Sequence, residues 1–247
     1  VKATDLPATT AARREELRGL EGRRDSLREL EEGFAGLSEG QQLLLKGKAA
    51  GVKACQTIAG PLSRLIRAEA ACERAVEALL GDLQQGLLIP TAADALSLIR
   101  YLEQEGTGWA TLLPRQGEWL AQRQEASHLR KALEEARASL GPEVAQQIVG
   151  LALEFVKGPA ELQPLLRGLL GDGVIVRDLP TALTLLRRLP GPVRVATTSG
   201  AVLSSRGPIQ GGNTIAWSLL SRHRELEELP AVIARVETED EKKKRLE

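Results

Sequence analysis

Nucleophilic catalysis needs a base beside a nucleophile, and this sequence supplies few bases. His128 and His223 both fall on charged, helix-like stretches and read as surface residues. No Gly-x-Ser-x-Gly elbow and no His-Glu-x-x-His pair occurs. Gly47-Lys48 could close a phosphate loop, but Ala49 stands where that motif needs Ser or Thr, and Gln42 where it needs Gly. A Gly-x-Gly-x-x-Gly fingerprint is also missing. Cys55 and Cys72 form no Cys-x-x-Cys pair and have no clustered histidines, so no metal is expected. A single disulfide between them stays open, although both read as small core residues of a reduced protein. The sequence therefore predicts no catalytic residue, no metal and no cofactor.

What remains is a run of glycines, Ser199-Gly200 and then Gly207-Pro208-Ile209-Gln210-Gly211-Gly212. Adjacent glycines permit positive φ and let a second backbone approach closely. At the exit of a hairpin they have two uses. They can make a tight turn that reverses the chain, or they can sit in an interface with another chain.

The elements that position this motif show in the sequence periodicity. Leu20, Leu27, Leu30, Phe34 and Leu37 are spaced 7, 3, 4 and 3 apart, the pattern of a coiled-coil seam. Gly19, Gly22 and Gly33 weaken it. Near the other end Ile215, Leu219, Leu226, Leu229, Ile233 and Val236 hold one heptad register, with Arg222 at the intervening d position. Pro230 lies inside that run and is expected to kink or interrupt the helix. The tail from Glu237 to Arg245 reads as solvated charge that frays. Each helix alone could equally lie on a globular body. Placed at the two ends, they suit an antiparallel coiled coil with a domain inserted at its tip.

The middle of the chain contains a repeat. Leu79-Leu-Gly-Asp82 recurs as Leu169-Leu-Gly-Asp172, and Gly86-Leu-Leu-Ile89 as Val174-Ile-Val176. Ala95–Leu102 matches Ala182–Leu189, and Trp109-Ala-Thr-Leu-Leu113 matches Val195-Ala-Thr-Thr198. Each copy reads as helix, Gly-Asp turn, strand, helix, strand. Chance similarity of Leu-rich helices is the alternative to two subdomains related by a pseudo-two-fold axis. A charged, Ala-rich helical segment from Gln116 to Leu140 joins the copies, and Gly141-Pro142 ends it.

Composition narrows the class. The 247 residues are 43% hydrophobic but only 2% aromatic, so the core must be aliphatic, and stacking platforms for single-stranded nucleic acid are disfavoured. Lys plus Arg equals Asp plus Glu at 33 each, so any nucleic-acid binding should be weak and salt-sensitive. The apolar runs are too short to span a membrane and no signal peptide is present, which predicts a cytosolic protein. No Met occurs, even at position 1, so an excerpt of a longer chain is expected. The closing Lys244-Arg-Leu-Glu247 is left out as a candidate vector scar. Abundant Leu, Ala, Arg and Gly suggest a GC-rich bacterial source.

The glycine motif, in its place before a returning helix, resembles the hinge of SMC (structural maintenance of chromosomes) proteins. Leu30–Phe34 with Ser38-Glu-Gly40, Ile58–Ile66 and Glu73–Gly81 also resemble that family. Gly60-Pro61-Leu62 departs from its usual Gly-Thr-Val. The resemblance covers roughly Leu30 to Leu220. It implies an α+β hinge fold of two pseudo-two-fold-related α/β subdomains flanked by an antiparallel coiled coil. The expected boundaries are residues 1–40 (first arm), 41–115 (subdomain 1), 116–142 (linker), 143–212 (subdomain 2) and 213–247 (second arm).

The resemblance also implies a function without catalysis. The chain would be a homodimerisation hinge joining two SMC chains in chromosome condensation and segregation, nucleoid-associated, with ATP bound only in an absent head domain. Gly207, Ile209, Gly211 and Gly212 would line the dimer interface. Lys46, Lys48, Lys53, Arg222 and Arg224, which converge if the arms pair, would contact DNA weakly, although ordinary solvated charge explains them as well. Two other readings stay open: the hinge of a related SMC-like DNA repair ATPase, and a small α/β ligand-binding domain.

Overall fold

The computed structural model describes residues 6–32, 36–106, 108–117, 127–212 and 219–244. The chain divides into two compact units, one of residues 1–36 with 222–247 and one of residues 37–221.

The first unit pairs helix α1 (Leu6–Glu32) with the part of the last helix that begins at Arg222. Leu27, Leu229 and Ile233 are buried in it, and the Arg23 guanidinium holds the Glu225 carboxylate through two bonds. The seam differs from the heptad reading at two points. Leu30 is exposed, and the partly buried stripe runs through Leu17, Leu20, Arg24 and Leu27. Arg222, at its d position, is buried. Pro230 does not interrupt its helix, which runs unbroken from Leu219 to Lys244. Pro230 lies on the exposed face, where water can satisfy the carbonyl left without its donor. Phe34 and Ile215 lie outside the described residues.

The second unit opens with α2 (Glu39–Ala49), which begins in a capping box: Ser38 Oγ accepts from Gln41 N–H and the Gln41 side chain accepts from Ser38 N–H. A first copy of the repeat follows, with β1 (Gly60–Pro61), β2 (Arg67–Ala68), α3 (Glu73–Leu80), β3 (Leu87–Ile89), α4 (Ala92–Glu105) and β4 (Leu112–Pro114). Next come α5 (Ser127–Ser139) and the short α6 (Pro142–Gln147). The second copy runs through β5 (Ile148–Leu151), β6 (Val156–Lys157), α7 (Gln163–Leu170), β7 (Gly173–Val176), α8 (Leu179–Arg188) and β8 (Arg194–Thr197). A hairpin of β9 (Val202–Ser204) and β10 (Ile209–Gln210) comes next, and α9 (Leu219–Lys244) closes the chain.

The strand pairings repeat as well. β3 runs parallel to β4 and antiparallel to β1, and β7 runs parallel to β8 and antiparallel to β5. The repeat therefore begins upstream of Leu79, at β1 and β5. The matching strands β2 and β6 pair with each other, Arg67 opposite Lys157 and Ala68 opposite Val156. Matched by order, each residue of one strand faces the counterpart of its neighbour, as a local two-fold axis requires. One register differs from the sequence reading. Leu113 pairs Leu88 as Ala196 pairs Ile175, so Leu113, not Ala110, answers Ala196. Trp109 precedes β4 and is 69% exposed.

Leu and Val alternate between cores along the strands, as period-2 geometry demands. Leu88, Leu113 and Ile175 face a central core shared by both copies, with Leu79 and Leu166. Leu87 and Ile89 face α2 and α4 through Leu44 and Leu98, whereas Val174 and Val176 face α8 and α5 through Leu185 and Leu133. Pro61 sits in an edge strand, and the Ala59 and Leu62 N–H groups supply the bonds to Leu88 and Gly86 on either side of it.

Candidate functional site

The two copies end differently. In the second, β8 is covered by β9 (Val195 opposite Leu203), and β10 completes a five-stranded sheet in the order β10-β9-β8-β7-β5. In the first, the three-stranded order β1-β3-β4 leaves β4 at the edge. Among the described residues the unit thus carries one sheet edge extended by the β9–β10 hairpin and one matching edge, at β4, that no described strand extends.

The glycine motif builds that hairpin. Gly200 (φ +97) turns the chain between β8 and β9; its N–H donates to Thr197 O, and the buried Thr197 Oγ1 accepts from Ala201 N–H at 3.0 Å. Gly207 (φ +111) closes the next turn in the same way, its N–H donating to Ser204 O at 3.0 Å. Ile209 and Gln210 pair on one side with Leu203 and Val202, and Ile209 is 68% exposed. A Cβ on Gly211 would lie 3.1 Å from the Ala201 Cβ, and Gly212 takes φ +136. Gly207 and Gly212 thus take a conformation that favours glycine, and Gly211 sits at a close approach within the chain. All four residues of the expected interface lie on or beside the outermost strand.

The cations fall in different settings. Lys46 and Lys53 are exposed in the second unit, and the half-buried Lys48 ammonium donates to the Ile58 carbonyl. Arg222 and Arg224 belong to the first unit, where Arg224 bonds Glu228 at 2.9 Å. Lys48 and Arg224 therefore already serve contacts within the chain.

Cys55 lies in the core under α2 and α4, and Cys72 in the central core; both thiols are free, and burial pushes both up. His128 is exposed as expected. His223 is not a plain surface residue: it is half-buried, with Nε2 beside Glu227. Among the described residues no group of three His, Cys, Asp or Glu could hold a metal ion. Sequence reasoning missed Arg194, whose guanidinium binds Asp172 and the carbonyls of Leu79 and Leu169. It also missed the contact of Gly40 with Gly108. Neither leaves a motif, because each depends on main-chain groups far apart in the chain.

A family model described as the SMC proteins flexible hinge domain matches residues 56–186. The chain belongs to the SMC hinge family. The chromosome partition protein Smc of Myxococcus xanthus (strain DK1622) is 31% identical over 238 residues, covering 95% of this chain and 18% of that protein. The protein of the same name from Bacillus subtilis (strain 168) is 31% identical over 217 residues, covering 87% and 17%. The hinge thus spans less than a fifth of the length of the curated relatives it matches. A crystal structure of an asymmetric dimer of the Geobacillus stearothermophilus SMC hinge domain superposes with a TM-score of 0.75 at 29% identity, covering 97% of this chain and 91% of that one. The α+β hinge architecture expected from the sequence is the one observed. Among the described residues no helix is long and apolar enough to cross a membrane.

Proposed function

We propose that this hinge joins two copies of its chain into a homodimer, so linking two long SMC arms in chromosome condensation and segregation. The observation that carries the reading is the mismatch between the two copies of the repeat. Among the described residues no strand pairs with β4 as β9 pairs with β8, and none pairs with the outer side of β10, where Ile209 is exposed. Two chains related by a two-fold axis can each place β10 against β4 of the other, and the pairing closes because it occurs twice. The G. stearothermophilus hinge, an asymmetric dimer, supports the joining of two copies.

The hinge contributes no chemical step in this account. ATP binding belongs to a head domain elsewhere in the protein, and the whole works in the cytoplasm at the nucleoid. The chromosome-partition name of the relatives favours this role over that of a DNA repair ATPase. Weak DNA contact falls to Lys46, Lys48, Lys53, Arg222 and Arg224, with the exposed Lys46 and Lys53 carrying most of it.

Cross-linking tests the pairing. A chain with Gln210→Cys is mixed with a chain with Thr111→Cys and oxidised mildly; the native thiols are buried and need not be removed. A mixed disulfide-linked pair is expected, and its absence in a sample that contains dimers would sink the β10-to-β4 arrangement. For DNA, Lys46→Glu with Lys53→Glu is expected to weaken duplex binding at low salt about tenfold or more. Unchanged affinity would remove these residues from the account.

A further inference from the structure

The first turn of α2 is tied to the chain just ahead of β4 by main-chain contacts. Gly108 (φ +69) lies against Gly40, and a Cβ on Gly40 would stand 2.6 Å from the Trp109 carbonyl oxygen. Ser38 Oγ donates to that same carbonyl at 2.7 Å. Gln41, 3% exposed, donates through Nε2 to the Gln85 carbonyl at 3.0 Å, just ahead of β3. The turn that opens α2 thus grips the segments leading into two adjacent strands. Side chains are excluded from its tightest point, where only glycine fits at either position.

Main-chain bonds at both ends of the β3–β4 ladder help fix β4 to β3. Leu87 N–H donates to Thr111 O at 2.9 Å, and Arg115 N–H to Ile89 O at 2.8 Å. Among the described residues no strand pairs with the outer side of β4, and its leading loop is gripped by the start of α2. That loop is held by residues 38–41, immediately after the chain enters this unit at Leu37.

We infer that Ser38–Gln41 and Gly108–Trp109 form a strap that couples the point where the chain enters the unit to the position of the β4 edge. Shifting the start of α2 moves the Trp109 carbonyl, and with it the edge strand β4. That this edge receives a second copy rests on the proposed function; the strap itself does not.

Amide hydrogen exchange on the whole chain tests it, with wild type compared against Ser38→Ala and Gly40→Ala. The reporters are the Leu87 and Arg115 amides, whose bonds lie between β3 and β4 and do not depend on a partner. Ser38→Ala removes the hydroxyl without adding bulk, so it reads the coupling even if Gly40→Ala fails to fold. Its cap loss is expected to speed exchange over residues 40–42, and Leu87 and Arg115 should accelerate with them, by about fivefold to tenfold. Faster exchange at residues 40–42 with Leu87 and Arg115 unchanged would overturn the strap, as would no change anywhere. Light scattering on the same samples separates the two ideas. A monomeric wild type removes the dimer reading, whereas the exchange result still decides the strap.

Discussion

Arg194 on β8 reaches into the first copy of the repeat and donates to the carbonyl of Leu79 at 2.5 Å. The same guanidinium binds the carbonyl of Leu169, and Leu79 and Leu169 are counterparts in the two copies. One side chain therefore ties together the C-terminal ends of α3 and α7 across the local two-fold axis, with Asp172 holding its Nε at 3.0 Å. A cation at two converging helix C-termini meets the partial negative charge of both.

Arg194→Leu leaves those carbonyls and the Asp172 carboxylate without their shared donor, so it is expected to cost about 2–4 kcal/mol of unfolding free energy. Arg194→Lys should recover little of that, because one ammonium cannot reproduce the planar fork. Urea denaturation followed by circular dichroism reads both. A loss below about 0.5 kcal/mol for Arg194→Leu would show that the two copies do not depend on this contact.

Pro230 marks a different weakness. It occupies an exposed position inside an unbroken helix, where it forfeits one main-chain bond. Pro230→Ala is expected to raise helical content and stabilise the arm unit by about 1–3 kcal/mol. Thermal melts of the two chains give the answer, and a lower melting temperature for the Ala variant would contradict it.

The Arg23–Glu225 pair gives the arm unit a pH dependence. The hydrogen bond from Arg23 holds the Glu225 carboxyl below its ordinary value of 4.5, against a smaller opposing effect of burial. A carboxyl lowered on folding stabilises above its unfolded pKa, and that contribution is lost as pH falls through the folded one. The stability gap between wild type and Glu225→Gln should therefore be steady at neutral pH and close only as pH falls below the ordinary carboxyl value of 4.5. Screening at this exposed site keeps the gap small. Denaturation midpoints measured from neutral to acid pH check the sign, and a gap that widens in acid would reverse the assignment.

Cys55 and Cys72 should resist thiol reagents in the native state. Both are buried, and burial pushes both thiols up, away from the reactive thiolate. Titration with a chromogenic disulfide should find no fast-reacting thiol until denaturant is added. Rapid labelling of the native chain would mean that a core opens more readily than its packing implies.

The sequence showed long periodic elements well and short ones poorly. The arms and the paired copies of α3 and α4 with α7 and α8 were legible because their Leu spacing extends over several turns. β2 and β6 have two residues each, too few for any period, yet they form the local two-fold contact. The three-residue slip at β4 came from reading Trp109-Ala-Thr-Leu-Leu as one apolar strand; Gly108 turns the chain there, and pairing begins only at Leu112. For the glycine motif, sequence could state that positive φ or a close approach was needed. It could not assign Gly211 to the approach and Gly207 and Gly212 to the dihedral angles. Arg194 left no trace, because an arginine bound to main-chain carbonyls looks like any surface arginine.

Molar mass in solution, measured by light scattering coupled to size exclusion, tests the central claim most directly. Wild type would be compared with Ile209→Asp, which leaves the glycine backbone alone, and with the Gly211→Glu, Gly212→Glu double variant. A mass of twice 26.6 kDa for wild type and 26.6 kDa for a folded Ile209→Asp chain is the expected result. A wild-type mass of 26.6 kDa across micromolar concentrations would contradict the dimer and leave the glycines as turn-formers only.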